Sequence, residues 1–472
     1  MTILIAAVLG LPVLLAAVAL VAPHHPMVRH IPVAASAVVF ATGLLALATV
    51  HASPSAEFTA AGGLLRVDAL TAYLLTVVGA VAVTATGGAT TARPSGRFSA
   101  LMCLFLTAMA LAVLADNLGV LWVAIEATTI TTAFLVGSGG GRHRLEAAWK
   151  YVVLGSVGVA IALLGIVLLY AAGTGSSTSL SWSALMTTAR LDADTARVGL
   201  ATKAGLAPMH SWLPDAHSQA PPQVSGLMSG VLLSVAFYGI LRFKAISDHL
   251  LGPGLMETLL AVAGVLSLLV AAGLSLTQKD FKRLLAYSSI EHMGILAVGA
   301  AIGGPLAIGA VLLHILGHGL AKASMFVLAG RLLKVAGSHR IQDVHSLLTS
   351  HPSIGRPWLV GTGALLGFPP FGLFFTEAAI IIAGFARGKW WLTGALLVLL
   401  LAVLAGIARH TLSMTLTGHD AEAPMPSTPD PSTRAQRAVT WTALAVVGLL
   451  GVLAWPLRPV LAAAVAALGG PS

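Results

Sequence analysis

Titratable side chains stand inside long, largely apolar runs: Glu126 in 119-GVLWVAIEATTITTAFLV-136, His292 in 286-AYSSIEHMGILAVG-299, His314, His318 and Lys322 in 314-HILGHGLAKASMFVLAG-330, and Glu377 in 366-LGFPPFGLFFTEAA-379. An ionisable group at membrane depth costs at least about 2.5 kcal/mol, so a chain that keeps a row of them is a candidate proton or ion pathway. His314, His318 and Lys322 are spaced four apart and share one helical stripe. Histidine titrates near neutrality and hands protons along a row of waters, which makes Lys322 the candidate loading site and the histidines its relay. His292 joins them, and Glu377 is the candidate exit or coupling group. Neighbouring Glu291 is expected on a different helix face. Glu126 needs a cation or a proton, and its candidate partners are Lys150, in 145-LEAAWKYVVLGSVG-158, and Lys203, at the head of 203-KAGLAPMHSWLPDAH-217. Moving a carboxylate away from a partly desolvated lysine releases the lysine's proton, the elementary step of a pump.

Other chemistry fits less well. His314 and His318 form HxxxH, but no glutamate lies between them and Lys322 would repel a metal, so no metal ligand is assigned. A single cysteine, Cys103, excludes an internal disulfide, an iron–sulfur cluster and a thiolate zinc site. No cofactor-binding residue is expected in this chain, and any redox cofactor belongs on another one. The glycines in 138-SGGGR-142 lack a P-loop lysine. His210, Asp215 and His217 suit capping and packing about as well as proton conduction, and 279-KDFKR-283 reads as an inner-loop topology anchor.

The elements that position these groups are helices in a bilayer. The 472 residues are 57% hydrophobic and 9% charged, against about 25% charged in soluble proteins. Fourteen apolar runs recur near 1–22, 31–50, 67–88, 98–115, 117–137, 147–171, 196–212, 224–243, 254–276, 284–302, 305–330, 357–383, 390–413 and 438–466. The first of these is read as a spanning helix and not as a removable leader. The fold class expected is an all-α polytopic membrane protein of about 14 transmembrane helices. The formal charge of +9 is spread over short loops, which argues for topology and against nucleic acid. Counting Arg142, Arg144, Lys279, Lys282, Arg283 and Arg331 among the inner charges, and the fewer Arg66, Arg242, Lys244, Arg387 and Lys389 among the outer, places both termini outside.

Proline or glycine interrupts the seventh and twelfth spans next to charge, at 203–217 and 366–379. Transporters place binding sites at such broken helices in matching halves. The organisation expected is 1–97 for helices 1–3, 98–244 for a first repeat (helices 4–8), 245–415 for a second (helices 9–13), and 416–472 for a proline-rich linker and helix 14.

The segments 203-KAGLAPMHSWLPDAHSQAPPQVSGLMSGVLL-233, 278-QKDFKRLLAYSSIEHMG-294 and 314-HILGHGLAKASMFVLAGRL-332 resemble the antiporter-like subunits of complex I and their relatives. Within that superfamily LWVAIEATTI, EAAWKY, YSSIEHMG and FPPFGLFFTE look most like the large membrane subunit of hydrogenase-4 and formate-hydrogenlyase complexes. The resemblance implies two inverted five-helix repeats in a proton channel driven by a redox arm of iron–sulfur or nickel–iron hydrogenase-like subunits, in the cell membrane. It matches Glu126 to the family's fifth-helix glutamate, Lys203 to the seventh-helix lysine paired with it, Lys322 to the central eleventh-helix lysine, and Glu377 to a twelfth-helix lysine-or-glutamate position. Ser234, where many relatives carry lysine, sends the link between half-channels through water, His292 or another group. An Mrp-type sodium/proton antiporter or an ion-coupled inorganic carbon uptake subunit is the alternative on the same helices. From other classes, a zinc enzyme at His314 and His318 would need bound metal, and a structural anchor would tolerate loss of Glu126 or Lys322.

Overall fold

The computed structural model describes residues 1–53, 57–89, 95–171, 180–187, 209–416 and 428–469. The chain is a multi-span, nearly all-helical membrane protein. Its helices are α1 (Thr2–Val21), α2 (Ile31–Ala52), α3 (Ala69–Gly87), α4 (Gly96–Leu114), α5 (Leu118–Gly137), α6 (Arg142–Ala171), α7 (Trp182–Thr187), α8 (Trp212–Gln219), α9 (Pro222–Leu251), α10 (Gly254–Ser275), α11 (Phe281–Ile302), α12 (Gly304–Ala336), α13 (Leu347–Ser350), α14 (Pro352–Leu365), α15 (Gly372–Ala386), α16 (Trp390–Thr415) and α17 (Arg434–Ala466). A small antiparallel hairpin, β1 (Phe58–Ala60) with β2 (Leu65–Val67), closes one loop.

Among the described residues twelve helices are long and apolar enough to cross a membrane. They coincide with twelve of the fourteen apolar runs. The twelfth run instead arrives in two pieces, α14 and α15, separated at 366–371. Most of the seventh run, and Lys203 with it, lies outside the described residues.

Two helices form the centre. Every residue of the apolar window of α11 is buried and 94% of that of α12, against 22% in α6, so α11 and α12 have protein instead of lipid on almost all sides. Helix α12 packs against α3, α9, α11, α14, α15 and α17, and α11 packs against α8, α10, α12, α15 and α16. Local chemistry fixes their ends. Asp280 caps α11 by accepting from the backbone N–H of Lys282 (2.7 Å) and Arg283 (3.0 Å). Gly303, at φ 68°, turns the chain into α12, which Pro305 starts and left-handed Gly337 ends.

One crossing matters for the site. A Cβ on Gly319 would meet the Gly230 carbonyl at 2.9 Å, and one on Gly230 would meet the Gly319 carbonyl at 2.8 Å, so α9 and α12 touch backbone to backbone. At that contact α9 contains a π turn, Met228–Leu232, of the kind that frequents functional sites.

Several cations counted as loop charges are buried structural groups. Arg242 donates to Asp68 at 2.5 Å. Lys244 pairs with Asp248. Arg331 is directed at the Gly88 and Gln436 carbonyls (3.0 and 2.9 Å), which joins the ends of α3 and α17 to α12. Lys282 donates to the Ser218 and Ala220 carbonyls, both at 2.9 Å, and so caps the C-terminal end of α8.

Candidate functional site

Lys322 is buried near the middle of α12, and its Nζ donates to the Leu285 carbonyl of α11 at 2.9 Å. Ser289 Oγ donates to the same carbonyl (3.1 Å), and Ser229, in the π turn of α9, lies 2.7 Å from Ser289 Oγ. The glycine contact between α9 and α12 is what brings the π turn this close. One turn towards the N-terminus of α12, His318 is buried with neither ring nitrogen in a well-formed hydrogen bond, although the Ser229 backbone lies within interaction range. Its ring centroid is 4.5 Å from that of His292.

His292 Nδ1 and His314 Nε2 are 2.9 Å apart, a hydrogen bond in which one nitrogen carries the proton and the other receives it. On its far side, His314 Nδ1 meets Thr376 Oγ1 at 2.8 Å. Thr376 donates to the Leu373 carbonyl (2.8 Å), so its Oγ1 accepts from His314. Glu377, half-buried, follows on α15, and one carboxylate oxygen of it lies within 4.8 Å of the ligand nitrogens of His292 and His314. The helix break serves this residue. Gly367 has φ 62°, and a Cβ there would collide with the Glu377 carboxylate.

The structure thus brings together His292, His314, His318, Lys322 and Glu377. It adds Glu291. Glu291, expected on a different helix face from His292, is buried there too: its side chain accepts from Ser288 Oγ at 3.2 Å, interacts electrostatically with Lys322 and Glu377, and lines a cavity of about 200 Å³ with Glu377. Adjacent positions on a helix differ by roughly 100°, but α11 is enclosed on every side, so both Glu291 and His292 face protein. A buried carboxylate in an apolar run was the available signal.

The first-half residues are dispersed. Glu126 accepts from Ser156 Oγ at 3.3 Å and its other oxygen has no partner among the described groups. Lys150 does not reach inward. It is half-exposed and pairs with Glu146 (2.8 Å) and Asp215 (3.7 Å), because its position near the start of α6 lets the ammonium reach water instead of desolvating beside Glu126. Asp215 is shared with Arg283 at 2.9 Å, so 279–283 anchors α8 as well as a loop. His217 stacks on Phe326, one turn below Lys322, with both ring nitrogens unbonded. Ser234 donates to its own helix at Gly230 (3.0 Å). Beside it, between α5, α6, α9 and α11, lies a cavity of about 210 Å³ whose lining, Trp122, Leu233, Phe237 and Met293 among it, includes no titratable group.

Residues 115–404, well over half of the chain, match the family described as NADH:quinone oxidoreductase/Mrp antiporter, TM. The chain belongs to that family. Within it, the chain is similar to the hydrogenase-4 component F homolog of Methylacidiphilum infernorum, at 40% identity over 311 residues. That alignment covers 62% of this chain and 64% of the relative, a little under two thirds of its length. A Na(+)/H(+) antiporter protein of Alkalihalophilus pseudofirmus is 30% identical over 285 residues, 59% of this chain and 57% of that protein. The fold matches a chain of the membrane-bound sulfane sulfur reductase, an archaeal respiratory membrane complex, with a TM-score of 0.89 at 22% identity, covering 99% of this chain and 98% of that one. All the residues gathered around Lys322 fall inside the family match.

Proposed function

We propose that this chain is a proton-translocating, antiporter-like subunit of a redox-driven respiratory or membrane-bound hydrogenase complex. The observation that carries the reading is the cluster of Lys322, His318, His292, His314, Thr376 and Glu377, in which a 2.9 Å bond joins two histidines and a 2.8 Å bond joins His314 to Thr376. A hydrogen bond between imidazoles passes a proton by exchange of tautomers, so no side chain has to travel.

In this reading Glu126 and Lys203 load a proton from the inner side and Lys322 holds it centrally. Glu291 is the carboxylate that stabilises the charged lysine, and Glu377 releases the proton or couples to a neighbouring subunit. The two halves are inverted repeats over 98–244 and 245–415. Ser234 offers no titratable link between them and the adjoining cavity is apolar, so the link runs through His292 or through water outside that cavity. Lys150 acts at the mouth with Asp215 and Arg283. The chain sits in a prokaryotic plasma membrane with both termini outside, beside other membrane subunits and a peripheral redox arm that does the electron chemistry.

The test is Lys322→Ala in the assembled complex, reconstituted in vesicles. Electron transfer should continue with little proton uptake, and normal uptake would reject the central assignment. The antiporter relative from Alkalihalophilus pseudofirmus favours one second reading, a sodium/proton antiporter module. Proton flux that depends on sodium at fixed pH would select it.

A further inference from the structure

The HxxxH pair does not converge: the His314 and His318 rings are parallel with centroids 6.4 Å apart. A different set does. One nitrogen each from His292 and His314 and one oxygen from Glu377 lie within 4.8 Å of one another, which is the donor set of a catalytic-type zinc site, two imidazoles and a carboxylate. Zinc–nitrogen bonds of about 2.0–2.1 Å at tetrahedral angles require the two nitrogens about 3.3 Å apart. The nitrogens that share the hydrogen bond stand at 2.9 Å, so coordination needs a separation of a few tenths of an ångström, a turn of the rings that aims both lone pairs at one point, and relocation of the shared proton to the unpartnered His292 Nε2. His314 already has the outer partner that orients a ligating imidazole, since its Nδ1 is held by Thr376 at 2.8 Å. The cavity of about 200 Å³ lined by Glu377 has room for several waters on the carboxylate side of the donor set. Glu291 lines the same cavity as Glu377 and offers a second carboxyl group on that side of the donor set.

We propose that His292, His314 and Glu377 bind one divalent transition-metal ion of the zinc type, and that the ion stops proton transfer by occupying the nitrogens that share a proton. The binding half of this proposal stands without the functional reading. The blocking half rests on it.

The experiment uses the full chain purified through a tag free of histidine and titrated with cobalt(II), whose four-coordinate complexes absorb strongly in the visible. The expected result is one tetrahedral cobalt per chain, displaced by one equivalent of zinc, lost in His292→Ala, His314→Ala and Glu377→Gln, and kept in His318→Ala. Matched thermal midpoints verify that the variants are folded. Absence of the tetrahedral band in the unaltered chain overturns the proposal whatever the variants do, as does a band that survives both His292→Ala and Glu377→Gln. In the assembled complex, zinc at the same occupancy should reduce proton uptake at least tenfold, and uptake unaffected by bound zinc overturns the blocking half. A chain that binds cobalt as expected but pumps normally as Lys322→Ala would leave the metal site standing and remove the functional reading.

Discussion

Replacing Glu291 with glutamine keeps its size and most of its hydrogen bonding while removing the charge that faces Lys322. Lys322 then keeps the Leu285 carbonyl of α11, a neutral acceptor that holds the amine in either protonation state. An acidic neighbour that favours the ammonium by as little as about 1.4 kcal/mol makes a tenfold difference in proton occupancy at Lys322, so its loss is read directly in uptake. Proton uptake into vesicles carrying the native complex, followed by a pH-sensitive dye at fixed electron-transfer rate, should fall at least tenfold in Glu291→Gln. It should recover in part in Glu291→Asp. Wild-type uptake in a fully assembled Glu291→Gln complex would refute the pairing and return Glu291 to a packing role.

Three further outcomes follow from groups near the ends of the spans. Lys282→Met removes the charged donor shared by the Ser218 and Ala220 carbonyls and leaves Ala220 only a 3.4 Å bond from Ser225 Oγ. At about 1.5–3 kcal/mol for each charged hydrogen bond, the chain should lose about 3 kcal/mol or more, read as a lower thermal midpoint in detergent, with Lys282→Arg intermediate. Lys150→Ala should leave the midpoint unchanged, because the lysine is half-exposed and Asp215 keeps Arg283; a clear drop would show that Lys150 is more deeply engaged. His339, in the loop after α12, is held below its ordinary value by burial and then by nearby Lys282. The unfolded chain therefore takes up that proton first as pH falls below about 6.5, so stability declines in that direction. His339→Gln should flatten the slope of midpoint against pH below 6.5, and an unchanged slope would assign it to other groups.

The spans and the central cluster were legible because both rest on strong local signals. Twenty apolar residues make a helix in lipid, and a lysine with two histidines four residues apart makes a stripe on one. What was not legible depends on how helices meet. Arg242, Lys244, Lys282 and Arg331 look like loop charges by position, but all four are buried, Arg242, Lys282 and Arg331 against groups supplied by distant segments and Lys244 against Asp248 of its own helix, so counting loop cations overstates the topology signal. Lys150 shows the reverse: it lies inside an apolar run, yet α6 is the least enclosed spanning helix and its first turns reach water. Glu291 is expected on a different face from His292, but in a helix enclosed on all sides that face is buried as well. The π turn beside Ser229 has no sequence signature beyond the glycine it contains.

The enclosure of α11 and α12 also divides the rest of the molecule by electrical role. Helices such as α1 and α6, which expose most of their surface to lipid, act as an insulating sleeve, and one oily neighbour can replace another against them without changing the field at Lys322. The cavity at Glu291 and Glu377 is the thin place in that sleeve, walled by Leu397, Leu400, Leu401 and Leu404 of α16 and by Phe374 and Ile381 of α15. Whatever lies against those two helices sets the dielectric seen by both carboxylates. A neighbouring membrane protein seated there would wet or dry that window with no contact to the lysine itself.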